Sequence, residues 1–252
     1  VSPFCQLYHS FFECNSPRNI SLITVFEIFA VGGAFSILAT MFIFLFTDGI
    51  AVNSESLLSI LLAVVAEEVA KAFLTLYFIR RYADKRYILN GLLIGAGVGA
   101  GFAVFETAGY GFYELMETGY YESLVNILVM RGVMAIGGHV VWAAIQGGAL
   151  MLALKAMGVN FSWAALKEPA FLRFAGLTIL MHFIWNSNLF ILPLPIIMDL
   201  KYILLIIFAW LVIFILVNRG IKEINQITLD YQPTELTASD AADESVAKQI
   251  ID

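Results

Sequence analysis

The chain has 252 residues, 60% of them hydrophobic and 13% charged, with a mean hydropathy of +0.85. Such a composition excludes an ordinary soluble domain and specifies a polytopic membrane protein. Of the formal net charge of −6, five units lie beyond Gly220, where seven acids face two lysines, and no basic, aromatic-interleaved stretch points to nucleic acid.

Residues 1–19 are polar and aromatic, interrupted by Pro3 and Pro17, and read as an N-terminal interfacial segment. Cys5 and Cys14 lie there in no zinc or redox spacing. Residues 20–219 then read as an all-α, polytopic transmembrane helix bundle of about six spanning helices. The expected spans are Ile20 to Phe46, Ser56 to Arg80, Ile88 to Tyr113, Leu124 to Ala153, Phe171 to Leu192 and Tyr202 to Asn218. Residues 220–252 form an acidic tail with too little apolar content to pack, and are expected to be mostly disordered.

Lysine and arginine are distributed unevenly among the connections. Arg80, Arg81, Lys85 and Arg86 follow the second span, Lys155, Lys167 and Arg173 the fourth, and Arg219 and Lys222 the sixth. The other connections are acidic or nearly neutral. The positive-inside bias therefore predicts both termini in the cytoplasm, where Cys5 and Cys14 would be reduced thiols.

Ionisable groups at bilayer depth cost roughly 2.5 to 3.5 kcal/mol each even on mild insertion scales, so they face a protein interior or a wet cavity and have a role there. The second span carries Glu67, Glu68 and Lys71 in its middle. Helical spacing puts the lysine within reach of both carboxylates, a grouping suited to general acid–base work. The third span opens on Gly91, Gly95, Gly97, Gly99 and Gly101, overlapping small-residue spacings that let a neighbouring backbone approach. It continues to Phe102 and Glu106. The fourth holds His139 and the fifth His182 with Asn186 one turn on. All these groups fall in the middle to outer half of the bilayer and are expected to line one cavity open toward the outer face. Arg131, near the depth of Glu106, offers a structural partner for that carboxylate.

The ordered set Glu67-Glu68-x-x-Lys71, Phe102-x-x-x-Glu106, His139 and His182 on successive hydrophobic helices resembles the PrsW family of intramembrane proteases. That family is distantly related to the Abi and CAAX prenyl protease group, whose last motif His182-x-x-x-Asn186 also resembles. The resemblance covers about Leu57 to Asn186. It implies an integral protein of a bacterial or archaeal cytoplasmic membrane. Its expected substrate is a membrane-anchored protein, with an anti-sigma factor as the family's suggestion. The resemblance casts Glu67 as the base, with Glu68 and Lys71 tuning or positioning it. His139 and His182 would polarise the carbonyl or protonate the leaving amine, and Asn186 would hold the oxyanion. Glu106 stands where relatives often have histidine. The implied chemistry is of glutamic type or depends on a divalent metal such as zinc, with His139, His182 and Glu106 as candidate ligands. Three other readings stay open: a proton-coupled transporter, because carboxylates and histidines in a bundle also make proton relays, a CAAX-type prenyl-protein protease, and a non-catalytic scaffold. No His-Glu-x-x-His or Gly-x-Ser-x-Gly motif offers a different hydrolytic chemistry.

Overall fold

The computed structural model describes residues 20–47, 56–83, 86–189 and 199–251. The expected interfacial segment over residues 1–19, with both cysteines, lies outside the described residues, as do Lys85 and the acids of the first loop. Every regular element among the described residues is helical. In chain order these are α1 (Leu22–Glu27), a π-helical turn (Ile28–Gly32), α2 (Gly33–Thr47), α3 (Leu57–Tyr82), α4 (Ile88–Thr118), α5 (Tyr121–Met134), a 3-10 turn (Ala135–Gly137), α6 (His139–Ala156), a second 3-10 turn (Trp163–Lys167), α7 (Pro169–Asn186) and α8 (Leu200–Ile251).

Local sequence sets the ends of these helices. Ser21 and Ser56 cap α1 and α3, each hydroxyl accepting from the backbone N–H three residues on. Arg80 and Arg81 sit in the last turn of α3, where the helix dipole favours positive charge. Gly119 ends α4 at φ 71, a left-handed conformation that favours glycine. Pro169 opens α7, where its missing N–H costs nothing.

Among the described residues, four stretches are long and apolar enough to cross a membrane: Leu22–Leu45, Ile88–Thr118, Tyr121–Ala156 and Leu200–Ile227. The count of about six is corrected to about four by that measure. The difference lies in α3 and α7. The middle of α3 carries Glu67, Glu68 and Lys71, and the 18 residues of α7 include Arg173, His182 and Asn186. These two helices lose apolar character because they carry the polar centre of the bundle.

The glycines of α4 serve two faces. Gly91, Gly95 and Gly99 recur at helical spacing and meet Gly147, Ala143 and His139 of the antiparallel α6. A Cβ on Gly95 would stand 2.1 Å from the Ala143 carbonyl oxygen, and one on Gly99 2.3 Å from that of His139. On another face, a Cβ on Gly101 would stand 1.9 Å from the Phe29 carbonyl oxygen, in the π-helical turn. The small-residue stripe thus packs helices within one chain, and the α4–α6 contact fixes the height of His139 against α4. Gly95→Val is expected to abolish a monodisperse, folded protein, because the clash is with backbone that cannot rotate away. Gly109→Ala, where a Cβ meets nothing within 4 Å, should be tolerated. Fluorescence-detected size exclusion of both variants checks this.

The expected fourth span, Leu124 to Ala153, is not one helix. It divides into α5, a 3-10 turn and α6, with Gly138 at the break (φ −96, ψ −138). Gly132, Gly137 and Gly138 concentrate poor helix formers there. Helix α8 backs the break: Trp210 donates its indole N–H to the Ile136 carbonyl at 3.0 Å, and a Cβ on Gly137 would meet Ile206 at 2.2 Å. The consequence is functional. His139 begins a helix instead of lying inside one.

Helix α8 continues through Ile251, so the backbone of the tail is helical where disorder was expected. Glu223 anchors it to the bundle, accepting from the Ile88 N–H at the start of α4 at 3.1 Å and from the Lys155 ammonium. Below the polar centre, Leu76, Phe78, Ile79, Ile94, Val98, Leu150 and Leu154 form a continuous buried core.

Candidate active site

Four helices bring the polar groups together. Helix α3 presents Glu67, Glu68 and Lys71, α4 presents Glu106, α6 begins with His139, and α7 presents His182 and Asn186. All border or lie just behind a cavity of about 720 Å³, whose walls include Glu67, Glu106, Arg131, His139, Trp142 and Asn186. Ser59 near the start of α3, Tyr110 toward the end of α4, and Asn188 after α7 also line it. These positions lie at one end of the bundle. The basic residues Arg80, Arg81, Lys155 and Lys167 lie at the other ends of these helices or beyond them.

The two adjacent glutamates have different surroundings. Glu68 is 1% exposed and fully engaged. Its Oε1 accepts from Lys71 at 2.5 Å and from His182 Nδ1 at 2.9 Å. Its Oε2 accepts from Gln146 Nε2 at 2.6 Å. Glu67, one residue earlier and therefore about 100° around the helix, has a buried Oε2 with no hydrogen-bond partner. That oxygen lies 3.7 Å from His182 Nε2. The expected lysine reaching both carboxylates is replaced by a lysine bonded to Glu68 and to His139 Nδ1, the latter at 2.8 Å. Lys71 also stands 4.7 Å from the ring centroid of Phe102, so the motif phenylalanine supplies a π face to the buried ammonium.

Glu106 is tied down from two sides. Arg131 donates to its Oε2 at 2.5 Å, and His139 Nε2 approaches the same oxygen at 2.9 Å. Arg131 also donates to Thr107 at 3.2 Å and covers the Tyr110 ring at 4.2 Å. The anticipated structural pairing with Arg131 is thus present, and the same carboxylate orients His139. The two histidine rings meet edge to face with centroids 4.8 Å apart, and Trp142 stacks on His182 at 4.5 Å. Asn186 Nδ2 lies 3.0 Å from His182 Nε2. Glu67, Glu68, Lys71, Glu106, His139, His182 and Asn186 all fall within this one cluster.

One donor atom from each of Glu67, His139 and His182 lies within 4.8 Å of the others. Two histidines and a carboxylate form the donor set of one type of catalytic zinc site. The unpartnered buried oxygen of Glu67 is a ready ligand, and Glu68 behind His182 is the carboxylate partner that metal-bound imidazoles usually have. Glu67 and His182 thus offer donors to a divalent metal, and His139 would complete the set by releasing Lys71 or Glu106 from one of its ring nitrogens. Glu67, rather than Glu106, is the carboxylate grouped with the two histidines; Glu106 Oε2 is shared between Arg131 and His139.

The sequence pattern did not single out Gln146 and Thr178. Gln146 is a lone amide in an otherwise apolar helix, seven residues and two turns beyond His139 on the same face. That placement was the available signal.

A family model described as PrsW family intramembrane metalloprotease matches residues 21–217. Neither the curated proteins nor the solved structures contain a match to the chain. The match spans the helices that build the cavity and takes in every residue of its polar network, so this integral membrane protein belongs to the PrsW family of intramembrane proteases and is a hydrolase of peptide bonds.

Proposed function

We propose that this enzyme cuts a single-span, membrane-anchored protein, with Glu67 as the base that activates water. The observation that carries this is the contrast between the two glutamates. Glu68 spends its oxygens on three buried donors, whereas Glu67 turns an unpartnered oxygen toward His182 at the cavity floor. A base must have a free lone pair within hydrogen-bond reach of its proton.

In the proposed reaction Glu67 removes a proton from water as its oxygen attacks the scissile carbonyl. The C–N bond then breaks, and the proton passes to the leaving amine. Asn186, on the cavity wall beside His182, offers its amide to the developing oxyanion. His139, held between Glu106 and Lys71, would polarise the carbonyl by turning its Nε2–H from Glu106 to the substrate. Glu68 and Lys71 neutralise each other and hold the two histidines. A divalent metal such as zinc, held by Glu67, His139 and His182, would take up the Glu67 lone pair and would supply Lewis acidity and a more acidic bound water in place of the free carboxylate.

The cavity is lined from the helix ends opposite the basic clusters. With positive charge retained in the cytoplasm, it opens toward the outer leaflet of a bacterial or archaeal cytoplasmic membrane, and both termini are cytoplasmic. That position suits the first cut of a membrane-anchored anti-sigma factor and disfavours prenylated C-termini, which lie on the cytoplasmic side. The test is expression with a panel of tagged single-span proteins at equal enzyme abundance. A fragment should appear with wild type and vanish with His182→Ala. Fragments that persist with His182→Ala would come from another protease and would count against the assignment.

A further inference from the structure

We propose that Gln146 and Thr178 are positioning residues that select the tautomer of His182 through Glu68. The directions of the hydrogen bonds follow from the chemistry of each group. The Thr178 hydroxyl donates to the Ala175 carbonyl at 3.0 Å, so toward Gln146 it only accepts. Gln146 Nε2 therefore directs one N–H to Thr178 at 2.8 Å and the other to Glu68 Oε2 at 2.6 Å. Turning the amide over would set its oxygen against the carboxylate. Gln146 is 1% and Thr178 0% exposed, and the Gln146 carbonyl oxygen is buried without a partner. The amide is thus placed for its N–H groups, although its oxygen goes unsatisfied.

Held at Oε2, Glu68 keeps Oε1 facing both Lys71 and His182 Nδ1. A carboxylate that accepts at Nδ1 requires the hydrogen there and leaves the lone pair on Nε2. Asn186, donating to Nε2 at 3.0 Å, agrees with that assignment. His139 is set the other way. Lys71 has only hydrogens to give, so His139 Nδ1 accepts, and its Nε2–H donates to Glu106. Two neighbouring imidazoles are thereby held in opposite tautomers, and only that of His182 keeps a lone pair on Nε2, which accepts from Asn186 and lies 3.7 Å from Glu67 Oε2.

The link to cleavage rests on the proposed role of His182, while the tautomer itself can be measured without it. The chain contains three histidines, so ¹⁵N-histidine labelling of the full-length protein in nanodiscs gives a spectrum that can be assigned, His182 being the signal lost in His182→Gln. Wild type should show His182 with its hydrogen on Nδ1. Gln146→Met and the nearly isosteric Thr178→Val should show mixed tautomers, and Thr178→Ser, which keeps the acceptor, should match wild type. If Gln146→Met does not fold, the Val and Ser variants of Thr178 decide. With a substrate from the panel, kcat should fall about 10-fold or more with KM little changed, the usual size of an outer-shell effect. An unchanged Nδ1–H tautomer in Thr178→Val, or a wild-type His182 with its hydrogen on Nε2, would overturn the proposal. A variant that loses the tautomer yet cleaves normally would leave the relay standing and instead remove His182 from the chemistry.

Discussion

Glu67→Gln should reduce kcat by about 10²- to 10⁴-fold, the usual range for losing a general base, which corresponds to roughly 3 to 5 kcal/mol of barrier at 1.36 kcal/mol per tenfold. The amide keeps the shape of the side chain and removes its basic lone pair. Stability should hardly change, because Glu67 Oε2 makes no hydrogen bond that the substitution could break. This combination separates Glu67 from its neighbour. Glu68→Gln would disturb Lys71, Gln146 and His182 together and should lower stability and activity in parallel. The measurement is single-turnover cleavage in membranes, alongside melting of the purified variants. Activity of Glu67→Gln above one tenth of wild type would move the base elsewhere.

Lys71→Met should carry the largest cost in stability of any substitution in the network. Lys71 is 0% exposed and pairs with a Glu68 that is 1% exposed. Removing one partner of such a pair typically costs about 3 to 5 kcal/mol, because the remaining charge is buried and uncompensated. His139 Nδ1 would lose its donor as well. Replacing both partners, as Lys71→Met with Glu68→Gln, should restore much of the stability, since the destabilisation comes mainly from the orphaned charge. Activity should not return, because His182 would still lack the carboxylate at Nδ1. A double-mutant cycle on unfolding in detergent gives the coupling. Independent, additive effects of the two substitutions would mean that the pair does not act as a unit.

Together the two expectations assign different work to adjacent residues on α3. Glu67 faces the cavity and is the proposed base. Glu68 faces α6 and α7 and holds them in register. A single helix can do both because successive residues point about 100° apart, so one position reaches solvent space while the next reaches the protein interior.

The sequence by itself determined that the chain is a helical membrane bundle, because apolar runs of this length have no other stable arrangement in lipid. It also singled out the residues expected to form the site, since charge and imidazole at bilayer depth are too costly to be incidental. The glycine stripe of α4 announced close packing, though not that α6 and the π-helical turn would take its two faces. Tertiary structure decided the rest. Spacing allowed Lys71 to reach either glutamate, and the approach of His139, Gln146 and His182 from other helices settled it on Glu68. Glu106 was a candidate metal ligand until α5 brought Arg131 across to it. The span count fell from six to four because the helices that carry the site exchange apolar side chains for the groups of the active centre. The break before His139 and the relay from Thr178 through Gln146 depend on contacts between residues up to 78 positions apart. Periodicity within one helix says which side chains share a face. Which partners meet that face is set only when the helices pack.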